Sequence, residues 1–246
     1  MTATRLMNRA VIRLTPQDDG EDAIEFLQGL LTNDLKKPLP VYAGLLTPQG
    51  KTMFDMFVWP GGNGEVLLDC EAEFADDLTK RLSLYRLRRK IDIRVDDSVG
   101  VHWEKHVGDG GAPDPRLAAL GQRWLAPVAE GDASADDAYR AHRLSLGVPE
   151  GRDELGDILW LETNAVELHG VAFDKGCYIG QENTARMNWR SKVNRRLVVV
   201  PIEKSDEKRR KAVHESHGLA VDHLRVSEID PATAPEWMRS GLTTSE

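Results

Sequence analysis

Along the first hundred residues the apolar positions switch between two periods: alternation, which marks a strand, and recurrence every three or four residues, which marks a helix. Residues 10–14 read as a first strand, and Ile24, Leu27 and Leu31 as one face of a helix over residues 21–31. Residues 42–47 and 52–59 alternate around Pro48-Gln49-Gly50-Lys51, the signal of a hairpin, and a turn at residues 60–64 leads into a strand at 65–69. A helix is expected over residues 73–89, with Phe74, Leu78, Leu82 and Tyr85 as its buried stripe, followed by strands at 91–95 and 99–104. Strand, helix and strand in this order predict an α+β fold in which an antiparallel sheet carries helices on one side.

Beyond residue 107 the pattern is interrupted. Residues 108–116 are rich in Gly, Pro and Asp and residues 127–135 are small and acidic, so together they bracket an expected domain boundary. Ser134 is expected to start a helix with Asp137 in the capping-box position, and Gly147 with Pro149 to stop it. Residues 183–187 read as a short helix and residues 195–201 as a strand, after which only about 45 residues remain.

One polar residue breaks the apolar pattern of the hairpin. Alternation puts Met53, Asp55, Phe57 and Trp59 on one face of the strand, and the opposite face, Phe54, Met56 and Val58, is apolar as well. A carboxylate in such a strand costs several kcal/mol unless it is paired or hydrogen-bonded, so Asp55 is expected to meet a donor.

Composition narrows the class. The 246 residues are 41% apolar and 29% charged, which suits a globular protein. A net charge of −8 argues against direct nucleic-acid binding. No apolar run reaches the roughly 18 residues of a membrane helix, and no apolar leader follows the start, so no membrane association and a cytoplasmic location are expected. The two cysteines, Cys70 and Cys177, are too few for the four thiolates of a typical iron–sulfur cluster, so no permanently bound cluster is expected. His102 and His106, and the group His214, His217 and His223, lack the partners of a metal site, and none is expected.

The densest chemistry lies at Lys175-Gly176-Cys177-Tyr178-Ile179-Gly180-Gln181-Glu182. Cys177 falls just before a helix N-terminus with Lys175 two residues away, a setting that favours a thiolate. Read alone, the cysteine could equally be a small buried hydrophobe between turn-forming glycines.

This run resembles the signature of the YgfZ family of folate-binding proteins, which includes mitochondrial iron–sulfur assembly factors and is related to the glycine cleavage T-protein, an aminomethyltransferase. Phe26-Leu27-Gln28-Gly29, Leu31-Thr32-Asn33-Asp34, Arg186 and Arg195-Arg196-Leu197 continue the likeness. The resemblance implies a T-protein-like fold: a central domain at residues 1–41 and 134–195, an inserted sheet domain at 42–133, and a reduced C-terminal β domain at 196–246. It implies tetrahydrofolate as cofactor, with Asp55, Glu162, Asn164, Tyr178, Gln181, Glu182 and Arg186 as candidate contacts. Cys177 would be the reactive or cluster-contacting thiol, tuned by Lys175. The expected role is a nonenzymatic factor that helps assemble or repair clusters in client enzymes, those of tRNA modification among them, with those clients or cluster carrier proteins as partners. The alternative is a tetrahydrofolate-dependent aminomethyl transferase.

Overall fold

Strand β1 (Arg9–Pro16) is paired on both edges in the computed structural model, which describes residues 3–189 and 193–242. On one side β1 meets β5 (Ile91–Val95) and on the other β4 (Val66–Glu71), which continues through β3 (Thr52–Pro60) to β2 (Val41–Leu46). All four pairings are antiparallel. The hairpin expected around Pro48 is present. The division expected at 41/42 cuts through this sheet, because β1, from the first 41 residues, lies between β4 and β5, which both follow residue 42.

Helices α1 (Ala23–Gln28) and α2 (Ala75–Arg86) bury Leu27, Leu78 and Leu82 against Ile12, Leu14, Met56 and Val58. Each buried leucine is worth about 2 to 3 kcal/mol. Helix α1 is shorter than its apolar period implied. Asp22 caps it by accepting from the Glu25 amide, and the chain leaves the helix at Gly29.

Val11, Tyr42, Phe57, Trp59 and Leu67 point to the opposite face of the sheet. They meet Val101 and Trp103 of β6 (Val99–Glu104), Tyr139 of α3 (Asp136–Ser145) and Trp160. Strand β3 is therefore covered on both sides, as its sequence indicated.

The stretch read as a boundary holds two strands, β7 (Ala112–Pro113) and β8 (Gln122–Pro127), which join β6 in a second sheet. Their apolar period is broken because Arg123 points inward with no exposed surface. The expected capping box is absent from α3. Its N-cap is Ala135, and Ser134 instead exchanges hydrogen bonds with Asp136.

After the short helix α4 (Arg152–Leu155) the signature leads into α5 (Gln181–Trp189). Strands β9 (Arg195–Pro201), β10 (Arg210–His214) and β11 (Leu219–Arg225) form a third sheet in the order β10-β11-β9. Helix α6 (Glu236–Arg239) packs Met238 against Val198 beneath it. Residues 190–192, the middle of a basic run at 186–196, lie outside the described residues. No helix among the described residues is long and apolar enough to cross a membrane.

Candidate functional site

The signature loop rests on the β2–β3 hairpin, and glycines make the contact possible. Gly180 has φ +81°, and a Cβ there would lie 2.6 Å from the Thr47 carbonyl oxygen. Across the contact, Gly50 has φ +79°, and Asn183 Nδ2 donates to the Gln49 carbonyl at 2.8 Å. Any side chain at 180 would therefore separate loop from hairpin. Tyr178 is buried in the second core, which pushes its phenol up to about 12 against a hydrogen bond with Thr184.

Lys175 does not play the expected part. Its ammonium donates to the carbonyls of Gln28, Leu31 and Asn33 at 2.6, 2.5 and 2.9 Å, the unpaired acceptors at and just beyond the end of α1. Three bonds use all three donors of a lysine, so none remains for a neighbouring thiolate. Burial pushes this ammonium down to about 8, opposed by Asp34. Lys175 is thus an anchor of the loop on α1. Between the two buried residues, Cys177 is exposed. The other cysteine, Cys70, is 3% exposed in the first core, and burial pushes its thiol up to about 12.

The remaining signature residues point elsewhere. Glu182 and Arg186 form an exposed i,i+4 pair at 3.0 Å on α5, worth a few tenths of a kcal/mol at most, and Gln181 is half-buried at the helix start. Glu162 meets His223 Nε2 of β11 at 3.0 Å. Asn164, fully buried in the left-handed region at φ +65°, donates to the Leu197 carbonyl at 2.9 Å. Both tie the central part of the chain to the C-terminal sheet. Among the described hydrogen bonds, none joins any of these residues to Asp55.

Asp55 belongs to a polar layer that the sequence did not reveal. It is 2% exposed and accepts from the Tyr42 hydroxyl at 3.2 Å, while its Oδ1 has no partner. Burial raises its pKa, with Arg9 opposing. Around it lie Arg9, Asp69, Asp114, Arg116, Arg123, Tyr139 and Glu150. Arg9 Nε donates to Asp69 at 2.5 Å, Arg116 Nη1 to Glu150 at 2.6 Å, and Arg123 to Asp69 at 3.1 Å and to Asp114 at 3.2 Å. Arg116 also lies over the rings of Tyr42 and Phe57, 5.1 and 4.7 Å from their centroids. These groups come from stretches scattered between residues 9 and 150, so no local motif announces them. The one available signal was an arginine alternating with apolar residues in β8.

Glu71, at the edge of this layer, supplies a pH test. Burial first, and then Asp55, push its carboxyl up to about 7, although its side chain accepts from the Arg152 amide. A pKa raised in the folded state means that the group's contribution is complete below its ordinary value and is lost as pH rises through 7. Glu71→Gln, which keeps an acceptor for Arg152, is expected to stabilise the protein by about 2 to 3 kcal/mol at pH 8 and by nothing at pH 4. Urea midpoints of both proteins at the two pH values check this. An equal shift at both would show that the carboxyl is not perturbed.

A reduced folate would find at Asp55 one matching atom, the unpartnered Oδ1, which could accept from a ring N–H. Its volume is not accommodated as the side chains stand, since Tyr42, Phe57 and Arg116 cover that face. Neither Asp55 nor Glu162 lines the cavities of 480 to 740 Å³ found among the described residues. Among those residues no group of three or more His, Cys, Asp or Glu is placed to hold a metal ion.

Comparison with known proteins bears on the fold and on the chain's relatives. The fold is that of the glycine cleavage T-protein: the chain superposes on the aminomethyltransferase of Bartonella henselae with a TM-score of 0.61 over 91% of this chain and 78% of that one, at 11% identity. No family model matches. In sequence the chain is similar to proteins named mitochondrial iron–sulfur cluster assembly factor IBA57 or its homologue. It is 35% identical to that of Homo sapiens over 80% of this chain and 65% of the relative. It is 34% identical to that of Mus musculus, over 82% and 66%, and 32% identical to that of Neurospora crassa, over 79% and 52%. The chain thus spans about half to two thirds of the length of these relatives. Their names overturn the expected cytoplasmic location, which rested on the want of an apolar leader, a test that does not detect mitochondrial import signals. This chain thus has a T-protein-like fold, and the relatives it matches in sequence are named mitochondrial iron–sulfur cluster assembly factors.

Proposed function

We propose that this chain is an accessory factor for iron–sulfur cluster assembly, which presents the exposed Cys177 sulfur to cluster iron held jointly with a carrier or client protein. The observation that carries the reading is the contrast between the two cysteines. Cys177 stands exposed on a loop anchored by Lys175, Tyr178 and Gly180, whereas Cys70 is sealed in the core as a neutral thiol. Two thiols, one of them inaccessible, cannot satisfy the four ligands of a typical cluster, so the remaining ligands come from a partner. The assembly factors among its relatives support the same reading. Deletion of the gene, followed by assay of cluster-dependent enzymes including those of tRNA modification, tests it. Undiminished activity of all of them would end the proposal.

Reduced-folate binding is a second reading, favoured by the buried Asp55 Oδ1 that lacks a donor. Asp55 would hold a ring N–H, and the folate would supply a one-carbon carrier. The contact of Arg116 with Tyr42 must then open. Calorimetry with tetrahydrofolate is expected to show saturable binding that Asp55→Asn weakens about tenfold, as for loss of a charge-assisted hydrogen bond. No saturable heat at high micromolar folate would remove this reading and leave the thiol reading in place.

A further inference from the structure

On the helix-covered side of the large sheet a groove of 740 Å³ runs between α1 and the end of α2. Its floor is apolar: Phe26 and Leu30 from α1 and the turn after it, and Tyr85 from α2. Its rim is cationic, with Arg86, Arg88 and Arg89 within four consecutive positions of a chain whose net charge is −8. Arg89 is held by Glu21 at 2.5 Å and Arg86 donates to the Ile91 carbonyl at 3.0 Å, while Arg88 is exposed with no described partner. The acid on the opposite rim, Glu25, is paired with Lys36 at 2.9 Å.

Leu87, which ends α2, does not serve the fold. It is 86% exposed, and it sits at φ 50°, ψ −109°, a conformation that glycine adopts freely and a leucine adopts only under strain. Leu84, one turn earlier, is 67% exposed. A glycine at 87 would relieve the strain and remove apolar surface from water, so the leucine needs a reason outside the monomer.

We infer that this groove docks an acidic amphipathic helix of a protein partner. Such a helix would lay its apolar stripe along Phe26, Leu30 and Tyr85, cover Leu84 and Leu87, and set its carboxylates against Arg86 and Arg88. A membrane surface suits the geometry less, because Phe26 and Leu30 lie recessed between the rims and only Leu84 and Leu87 protrude. The α1 segment links the groove to the signature: Phe26 and Leu30 line the one, and the Gln28 and Leu31 carbonyls anchor Lys175, two residues from Cys177. That the partner is the cluster carrier rests on the proposed function; docking in the groove does not.

The probe is a fluorescently labelled synthetic helix with leucine at positions i, i+3, i+4 and i+7 of each turn pair and glutamate elsewhere, titrated with the full chain and followed by anisotropy. Saturable binding is expected, weaker at high salt and reduced at least about tenfold by Leu87→Asp or Arg88→Glu. Leu87→Gly is expected to weaken binding while raising the melting temperature, a combination that a merely structural leucine would not produce. Cys177→Ser is expected to bind the helix as the parent does, which separates this inference from the thiol reading. Four results would each overturn it: no saturable binding, equal binding of a scrambled helix, indifference to the Leu87 and Arg88 substitutions, or preferential binding to phosphatidylserine vesicles.

Discussion

Cys177→Ser is expected to abolish rescue of cluster-dependent enzyme activity in a strain lacking this gene, while the melting temperature of the purified protein stays within about 1 °C of the parent. The two halves of that expectation follow from one fact, the exposure of Cys177 on a loop whose neighbours are buried. Exchange of one atom at an exposed position disturbs no packing, so stability is preserved. It also removes the only thiol that solvent or a partner can reach. Cys70 cannot replace it, since it is 3% exposed and its pKa is pushed up to about 12. Asp55→Asn provides the contrast. Asparagine keeps the shape and an acceptor for Tyr42, and removes a carboxylate that burial already disfavours. An assembly factor acting through its thiol should keep substantial activity with that change, whereas an aminomethyl transferase should lose it. Full rescue by Cys177→Ser, at matched protein levels, would sink the thiol mechanism.

Arg123→Met should destabilise the fold far more than either of these substitutions, costing roughly 3 to 5 kcal/mol in urea unfolding. The guanidinium has no exposed surface and bonds to Asp69, Asp114, Glu150 and the Tyr139 hydroxyl while lying 4.2 Å from the Phe57 ring centroid. Methionine fills much of the volume, so the loss is not a cavity effect. It comes from three carboxylates left in a low-dielectric layer with one cation fewer. Their protonation is the escape, so the deficit should shrink as pH falls toward 4. Arg123→Lys should recover only part of the loss, because an ammonium presents a point charge where the layer is built around a planar fork. A loss under about 1 kcal/mol for the methionine variant would mean that the layer is held by Arg9 and Arg116 alone.

The elements, and one exposed motif, were legible in the sequence because their causes are local. Period-two runs at 10–14, 42–47, 52–59 and 91–95 became strands close to the expected bounds, since alternation places one set of side chains on each face whatever the strand pairs with. The apolar character of both faces of β3 already said that Asp55 would be buried. Glycines at 176 and 180 beside Cys177 marked a loop with unusual backbone demands, and Gly180 proved to need its positive φ. What the tertiary structure alone decided is which cysteine is exposed, where Lys175 spends its hydrogen bonds, and what surrounds Asp55. Those outcomes depend on contacts across long stretches of chain: Lys175 bonds to carbonyls more than 140 residues away, and Arg123 joins an aspartate 54 positions distant. Residue type and spacing carry no record of such partners. A lysine next to a cysteine in sequence therefore reads as its activator, although three free carbonyls at the end of a short helix offer the ammonium a better-matched site.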